Sequence, residues 1–492
     1  MDYLEFKSEI VLTTINAKWI HPSLALRLLK ANLGDLEKNC EIIEFALRQP
    51  LCEKTEPLLA ARPRILGVSV SIWNHLATTE LLSAVEKQWA DKPVIVLGGP
   101  EVSHLPADAE IFKYADHVIR GEGERAFREL CETLLQEKPH AEPRRICGSR
   151  RGEHREILSA YHLYTDEDIA KKLIYVESSR GCPFKCEFCL SSISDNKVHE
   201  FPLDEFLAEM DILIQRGVKT FKFLDRSFNI NAERALQIIE FFPDRIEKTN
   251  ESSAPPAPPF TVHFEMVPSI FPDELREALK RFPPGSLRLE IGIQTLNAEI
   301  AAVIHRPSNP EKELEALRFL SRETNAIIHA DLIAGLPGED FESFGKGFDR
   351  LWEALNAIEN NQEDEILLNV NQPRKTLSEK PRFEIQLGIL KLLPGAPISR
   401  HNEKFGMRYS SLPPYEVEET YAMSPTQLRR IKNFARFWEL IVNRGSAKIS
   451  GGHIFEKFMT LSDDLFAHFG KNWGIDKKEL VIMLKNYSYL VF

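Results

Sequence analysis

Three cysteines within eight residues constrain this chain more than anything else in it, in the stretch Ser179-Arg-Gly-Cys182-Pro-Phe-Lys-Cys186-Glu-Phe-Cys189. Thiols at i, i+4 and i+7 would share one face of a helix. Gly181 and Pro183 oppose a helix, since an internal proline removes a hydrogen bond and clashes with the preceding turn. The stretch therefore reads as a loop curled around a ligand. Cysteines that merely pack are common in cores, but a Gly/Pro loop is poor core material. Three converging thiolates are the ligand set of a metal or iron–sulfur site. The spacing is not that of paired C-x2-C zinc knuckles, and no fourth Cys or His stands nearby in sequence to close a tetrahedron. Three ligands on a [4Fe–4S] cluster leave one iron open, and an open position is where chemistry happens.

Around this loop the chain divides into two strand–helix series and a tail. Residues 1–150 alternate short apolar strands (Ile10–Ile15, Ile42–Phe45, Ile65–Val70, Val94–Leu97, His117–Ile119) with helical stretches such as Leu24–Leu36 and Leu76–Trp89. Such alternation implies a parallel, doubly wound Rossmann-like sheet of flavodoxin type, with its ligand at the carboxyl ends of the strands. A charged linker over Glu142–Glu156 leads to residues 160–400. There Leu173–Ser178, Thr220–Leu224, Thr261–Met266, Leu287–Gln294, Ile327–Ala334 and Glu384–Leu392 are candidate strands. Pro-rich Glu251–Pro259 and polar Asn360–Arg382 interrupt this series as surface excursions. Residues 401–492 are expected to be helical. Ser424-Pro-Thr-Gln427 supplies a helix start with a capping box, and Phe434, Phe437 and Trp438 form an apolar stripe on it.

The net charge of −11 disfavours a broad nucleic-acid surface. Seven cysteines, without a secretory segment, point to a reducing cytoplasm rather than a disulfide framework. No apolar run approaches the roughly 20 residues of a membrane span.

C-x3-C-x-Phe-C after a strand and Arg180-Gly181 resembles the cluster motif of the radical S-adenosylmethionine (SAM) enzymes. The resemblance implies a partial (β/α)6 barrel, with Cys182, Cys186 and Cys189 as cluster ligands and SAM on the open iron. Polar residues then belong at the barrel's strand ends. Glu265, Glu290 and Gln294 match the strand ends beside SAM. Leu332 to Gly338, including Gly335, matches the turn that takes adenine, and Phe188 stacks nearby. The family's Gly-Gly-Glu after the second strand is replaced by Leu224-Asp225-Arg226. Asp225 is thereby a candidate for the SAM ammonium and Arg226 for its carboxylate, with a surface ion pair as the alternative for both. Tyr415, in Pro413-Pro-Tyr-Glu-Val417, is a further catalytic candidate.

The first series resembles the cobalamin-binding domains that precede many radical SAM modules. Gly98-Gly99-Pro100 and Gly121-Glu122-Gly123 match turns where small residues let the backbone approach the corrin and its tail. Ser69 and Ser71 match the hydroxyl positions flanking that tail, with Asn74 in the same loop. Gly121-x-Gly-x-x-Ala126 also fits a dinucleotide fingerprint formally, but it sits in the last βα unit and carries two glutamates. No Asp-x-His-x-x-Gly follows the first strand. His21 is therefore only a candidate cobalt ligand, and the alternative has Trp19 or Lys18 covering the lower face without ligation.

Taken together, the resemblance implies a cobalamin-dependent radical SAM enzyme with a C-terminal helical domain. Its expected reaction is methylation of an unactivated carbon through a 5′-deoxyadenosyl radical and methylcobalamin. A ring-forming or rearranging enzyme with the same cofactors, and a corrinoid and Fe–S sensor, are the alternatives. A low-potential donor (flavodoxin or ferredoxin) is the implied partner, and a monomer is expected. The substrate stays open, with a phosphate-bearing molecule or RNA suggested only by Arg429, Arg430, Lys432 and Arg436.

Overall fold

The computed structural model describes residues 8–89, 91–136, 144–147, 157–193, 197–252, 260–356, 383–445, 447–449 and 451–491. Of the excursion expected over Glu251–Pro259, Glu251 and Ser252 instead end the helix Ala232–Ser252, and residues 253–259 lie outside the described residues, as do residues 360–382 and most of the linker over 142–156.

The first series forms a parallel sheet of β1 (Ile10–Asn16), β2 (Cys40–Ala46), β3 (Ile65–Ser69), β4 (Val94–Gly98), β5 (His117–Arg120) and β6 (Arg144–Cys147). Its order is β2-β1-β3-β4-β5-β6. β1 is buried from Ile10 to Ile15, as a central strand covered on both faces must be. The chain leaves β1 toward β2 and returns to β3 on the other side. The crevice that receives a ligand in such sheets therefore opens beyond Asn16 and Ser69. Two expectations need correction. Arg144–Cys147, expected as linker, pairs with β5 as an edge strand, a position that tolerates charged residues. The helix expected over Leu24–Leu36 ends at Ala31, where Asn32 caps it and Gly34 adopts φ +60°.

The second sheet contains β7 (Ile174–Val176), then a hairpin of β8 (Ser179–Gly181) and β9 (Val198–Glu200) set apart from it. It continues with β10 (Thr220–Phe223), β11 (Thr261–Met266), β12 (Leu287–Gln294), β13 (Ile327–Ala334) and β14 (Phe383–Ile389). β7 and β10 to β14 pair in parallel in that order, so the barrel is left unclosed between β7 and β14. Burial alternates strictly along β12 and β13. Leu287, Leu289, Ile291 and Ile293 pack outward beneath the helices, while Arg288, Glu290, Gly292 and Gln294 face the lumen. Interlocked Phe221, Phe223, Phe242 and Phe264 fill the wall on the β10–β11 side.

Beyond β14 the tail is not wholly helical. β15 (Arg408–Tyr409) and β16 (Val417–Glu419) form a small hairpin before the helix Pro425–Trp438. That helix begins with the Ser424/Gln427 capping box and buries Phe434, Phe437 and Trp438 against Phe348 and Trp352. Its basic face is locally neutralised: Arg430 pairs with Asp463 at 2.7 Å and Lys432 with Glu416 at 2.5 Å. Asn443 exchanges hydrogen bonds with both backbone groups of Ile385, covering the free edge of β14.

Candidate active site and cofactor seats

The cysteine loop is closed at its base by the β8–β9 hairpin, which pairs Gly181 with Val198. Gly181 has φ +100°, and a Cβ there would lie 2.1 Å from the Lys197 carbonyl oxygen, so only glycine closes this loop. Ser178 and Ser179, just ahead of it, are held by Asp225. That buried carboxylate accepts from the Ser178 amide (3.0 Å) and from the hydroxyls of Ser178 and Ser179 (both 2.7 Å). Burial pushes the Asp225 carboxyl up, against these donors. Asp225 thus faces the back of the loop and not the cavity, unlike the role expected for it.

Cys182, Cys186 and Cys189 line one wall of a cavity of about 260 Å³ at the carboxyl ends of β10 to β13. The Cys182 Sγ lies 3.1 Å from Ser227 Oγ. Among the described residues no group of three or more His, Cys, Asp or Glu is placed to hold a single metal ion. Three thiols on one cavity wall are the donor set that a cubane with one free corner takes. Arg306 lies against the loop. Its guanidinium donates to the carbonyls of Ile293 (3.2 Å) and Gly292 and opposes the upward push of burial on the Cys186 thiol.

Glu187, between two of the cysteines, is the residue that sequence reasoning missed. It is 3% exposed, and its carboxylate receives His305 Nδ1 (2.8 Å), Arg400 Nη2 (2.6 Å) and His401 Nε2 (2.7 Å). Its amide donates to Ile304 O at 3.1 Å, and its carbonyl accepts from Ile398 N at 3.0 Å. An acid inside a thiolate loop was itself a signal, because such a charge persists only where cations surround it.

Opposite the cysteines, the cavity wall carries Arg226, Glu265, Glu290, Gln294 and Asp331. Arg226 pairs with Glu265 at 3.4 Å; burial pushes the Glu265 carboxyl up although Arg226 opposes it. Burial also acts to raise Glu290, but His263 (3.3 Å) and Lys222 (3.2 Å) outweigh it and hold that carboxyl well below the usual range. Gln294 sits at φ +68°, left-handed backbone unusual for a side-chain-bearing residue, at the register shift that ends β12. Phe188 also lines the cavity. Leu332 and Gly335 do not. Leu332 alternates outward into the core, and a Cβ on Gly335 would meet Val417 at 2.5 Å.

At the carboxyl edge of the first sheet, Gly98 and Gly121 leave a cradle. A Cβ on Gly121 would meet nothing within 4 Å, and one on Gly98 only Ile119 O at 3.9 Å. Gly99 is tightly packed instead, with φ +104° and a Cβ position 2.5 Å from Val70 O. Ser69 ends β3 and Ser71 lies in the loop that follows, with Pro100 in the turn after β4. Trp19 (49% exposed), Ile20, Trp73 (53%) and Leu76 present large apolar surfaces on the same edge. Asn74 does not reach that surface. Fully buried, it ties Ser71 N (2.8 Å), Thr14 Oγ1 (3.2 Å) and Ile15 O (3.0 Å) together. His21 Nδ1 lies 2.8 Å from the Tyr175 hydroxyl, joining the loop after β1 to the first barrel strand, and burial, Lys18 and Lys222 lower its pKa. Glu122 is half-buried in the turn after β5, and Glu124, two residues on, pairs with Arg180 at 2.8 Å. A Cβ on Gly123 would meet Leu29 at 3.2 Å, turning that position toward the helix packing instead of the cradle. Tyr415, from the tail, donates to Glu101 at 2.7 Å.

Residues 176–351 match the model of the radical SAM superfamily, and residues 10–131 match that of the B12 binding domain. The chain belongs to the cobalamin-binding radical SAM enzymes. Their cofactors are a [4Fe–4S] cluster, SAM and cobalamin, and the thiol-lined cavity and glycine cradle fit them. An uncharacterized methyltransferase of Pyrococcus horikoshii is 25% identical over 359 residues, covering 64% of this chain and 72% of that protein. The cobalamin-dependent radical SAM methyltransferase TokK of Streptomyces tokunonensis is 25% identical over 319 residues, or 60% of this chain. The chain spans 45% of the length of TokK. Among solved structures, the cobalamin-dependent radical enzyme OxsB superposes with a TM-score of 0.61 at 14% identity, over 97% of this chain and 74% of that one. TsrM of Kitasatospora setae, with cobalamin and a [4Fe–4S] cluster bound, gives 0.59 at 16% identity, over 85% and 82%. These superpositions speak for the shared fold.

Proposed function

We propose that this cobalamin-binding radical SAM enzyme is a methyltransferase acting on an unactivated carbon of its substrate. The observation that carries the reading is the His21–Tyr175 contact, which sets the edge of the cobalamin cradle against the first strand of the barrel that holds the thiols. When bound, the cluster with SAM supplies a carbon-centred radical oxidant, and cobalamin supplies the methyl group.

The chain's own residues then do the placing. Cys182, Cys186 and Cys189 hold the cluster. Glu290, kept ionised by His263 and Lys222, is suited to receive an ammonium, and Arg226 a carboxylate, of the SAM amino-acid end. Gln294, fixed by its backbone at the end of β12, offers an amide to the ribose. Trp19, Ile20, Trp73 and Leu76 exclude water once the corrin covers them. A low-potential flavodoxin or ferredoxin is the implied reductant. Among the described residues no helix is long and apolar enough to cross a membrane.

The test is anaerobic reconstitution with iron, sulfide and hydroxocobalamin, then incubation with methyl-labelled SAM and fractionated cell extract. S-adenosylhomocysteine and 5′-deoxyadenosine forming in similar amounts, with label entering one fraction, is the expected result. Deoxyadenosine without homocysteine overturns the methyltransferase reading.

A further inference from the structure

The segment between β14 and β16 grips both cofactor seats. At one end, Ile398 N, Arg400 and His401 bind Glu187 on the cysteine loop. At the other, Tyr415 donates to Glu101 Oε1 on the loop after β4, the oxygen that His75 Nδ1 also binds at 2.8 Å. Just ahead of Ile398, Gly395 lies so close to His104, on the loop after β4, that a Cβ would approach its ring to 2.8 Å. The two gripped acids are alike. Glu187 and Glu101 are each 3% exposed, and each takes a donor from this segment, the others being His305 of the barrel and His75 of the first series. A buried carboxylate is costly, and an apolar side chain would pack either interface more cheaply. What two paired acids add is direction, because a hydrogen-bonded charge fixes its partner's place in a way that an apolar contact does not.

The segment is also stiff enough to transmit position. Ala396 N bonds Leu393 O (2.9 Å), Met407 N bonds Asn402 O (2.8 Å), and Ser410 N bonds Glu416 O (2.9 Å). It returns to the barrel through Leu392 N to Tyr415 O (3.0 Å) and Val417 N to Leu390 O (2.8 Å).

We propose that residues 393–417 are a strap that sets the spacing between the cluster seat and the cobalamin seat, with Glu187 and Tyr415 as its two positioning residues. The inference rests on the functional reading only for what occupies the seats; the mechanical coupling does not depend on methyl transfer. Neither side chain is assigned a chemical step. Each acts through the loop it holds, so that loosening one anchor is felt at the other seat.

Glu187→Gln keeps side-chain size but removes the charge and turns one accepting oxygen into a donor, and Tyr415→Phe removes only the hydroxyl. Hydrogen exchange on the full-length protein without added cofactors is read at residues 69–75, 98–104 and 182–189. In Glu187→Gln, exchange at 98–104 is expected to accelerate about tenfold or more, the scale of one lost charge-assisted bond, although none of those residues touches Glu187. Tyr415→Phe is expected to do the same at 182–189. In reconstituted protein, pulsed dipolar EPR between the reduced cluster and cob(II)alamin is expected to give a narrow distance distribution that broadens in both variants. Acceleration confined to each variant's own loop, or a distance distribution unchanged in both, overturns the strap. If Glu187→Gln does not fold, Tyr415→Phe alone decides through exchange at 182–189. Failure of the functional reading would show instead as wild-type protein that forms no homocysteine while the exchange coupling persists.

Discussion

His329 is expected to carry a positive charge inside the barrel well into the alkaline range, and replacing it measures what that charge contributes. Burial acts to lower its pKa, but Asp331 (3.3 Å), Glu384 (3.2 Å) and Gln386 (2.5 Å) raise it to about 10. A rise from 6.5 to about 10, at about 1.4 kcal/mol for each pH unit, sets an upper bound of roughly 5 kcal/mol. Arg288 already donates to the same Glu384 carboxylate (2.5 Å) and would hold part of the network together, so His329→Gln should cost about 2–3 kcal/mol at pH 7. The sign follows from proton binding. The folded protein keeps a proton that the unfolded chain releases above 6.5, so this stabilisation is complete below pH 6.5 and fades as the pH climbs through 10. Urea unfolding at pH 7, 8 and 9 is the assay. Wild-type stability should fall relative to the variant by about 1.4 kcal/mol per pH unit, closing most of the gap by pH 9. Parallel profiles for the two proteins would refute a charged His329.

Gly181→Ala should leave a folded protein that retains less than half the iron of wild type after reconstitution, because the Cβ meets Lys197 O; equal iron content would count against the loop geometry. Asp225→Ala strands three donors and should lower stability by about 3 kcal/mol while leaving SAM affinity little changed; a selective loss of SAM binding, read by calorimetry, would return Asp225 to the cavity. Asn74→Leu, close in volume, should cost about 2–3 kcal/mol in the first sheet and weaken cobalamin uptake by absorption spectroscopy, with the iron content unchanged. Cys186→Ala should abolish deoxyadenosine formation from SAM but preserve cobalamin binding, since the two seats lie on different sheets.

Both sheets were legible in the sequence because their strands are short apolar runs between turn residues, and β11, β12 and β13 begin and end where periodicity places them. The cysteine loop was legible because thiol spacing is a local property. What escaped were relationships made by the fold. Asp225 and Arg226 are adjacent in sequence, yet one is turned back to Ser178 and the other faces the cavity, a distinction made by where the strand ends. Glu187 meets partners more than 110 residues distant, His305, Arg400 and His401, which no local pattern associates with it. Leu332 carried a family role by alignment of the turn, but the two-residue alternation of β13 sends its side chain into the core. β6 was read as linker because two arginines suppress its apolar signal, as they do in edge strands generally.

The pairing of Asn443 with Ile385 bears on how this protein can be cut down for study. A fragment ending before residue 440 would keep all six barrel strands but leave the outer edge of β14 open at Ile385, a template on which another copy can add its own strand. Asn443→Ala in the whole chain should likewise shift the protein toward higher oligomers in light scattering, so the side-chain amide of one distant asparagine acts as a guard against self-association.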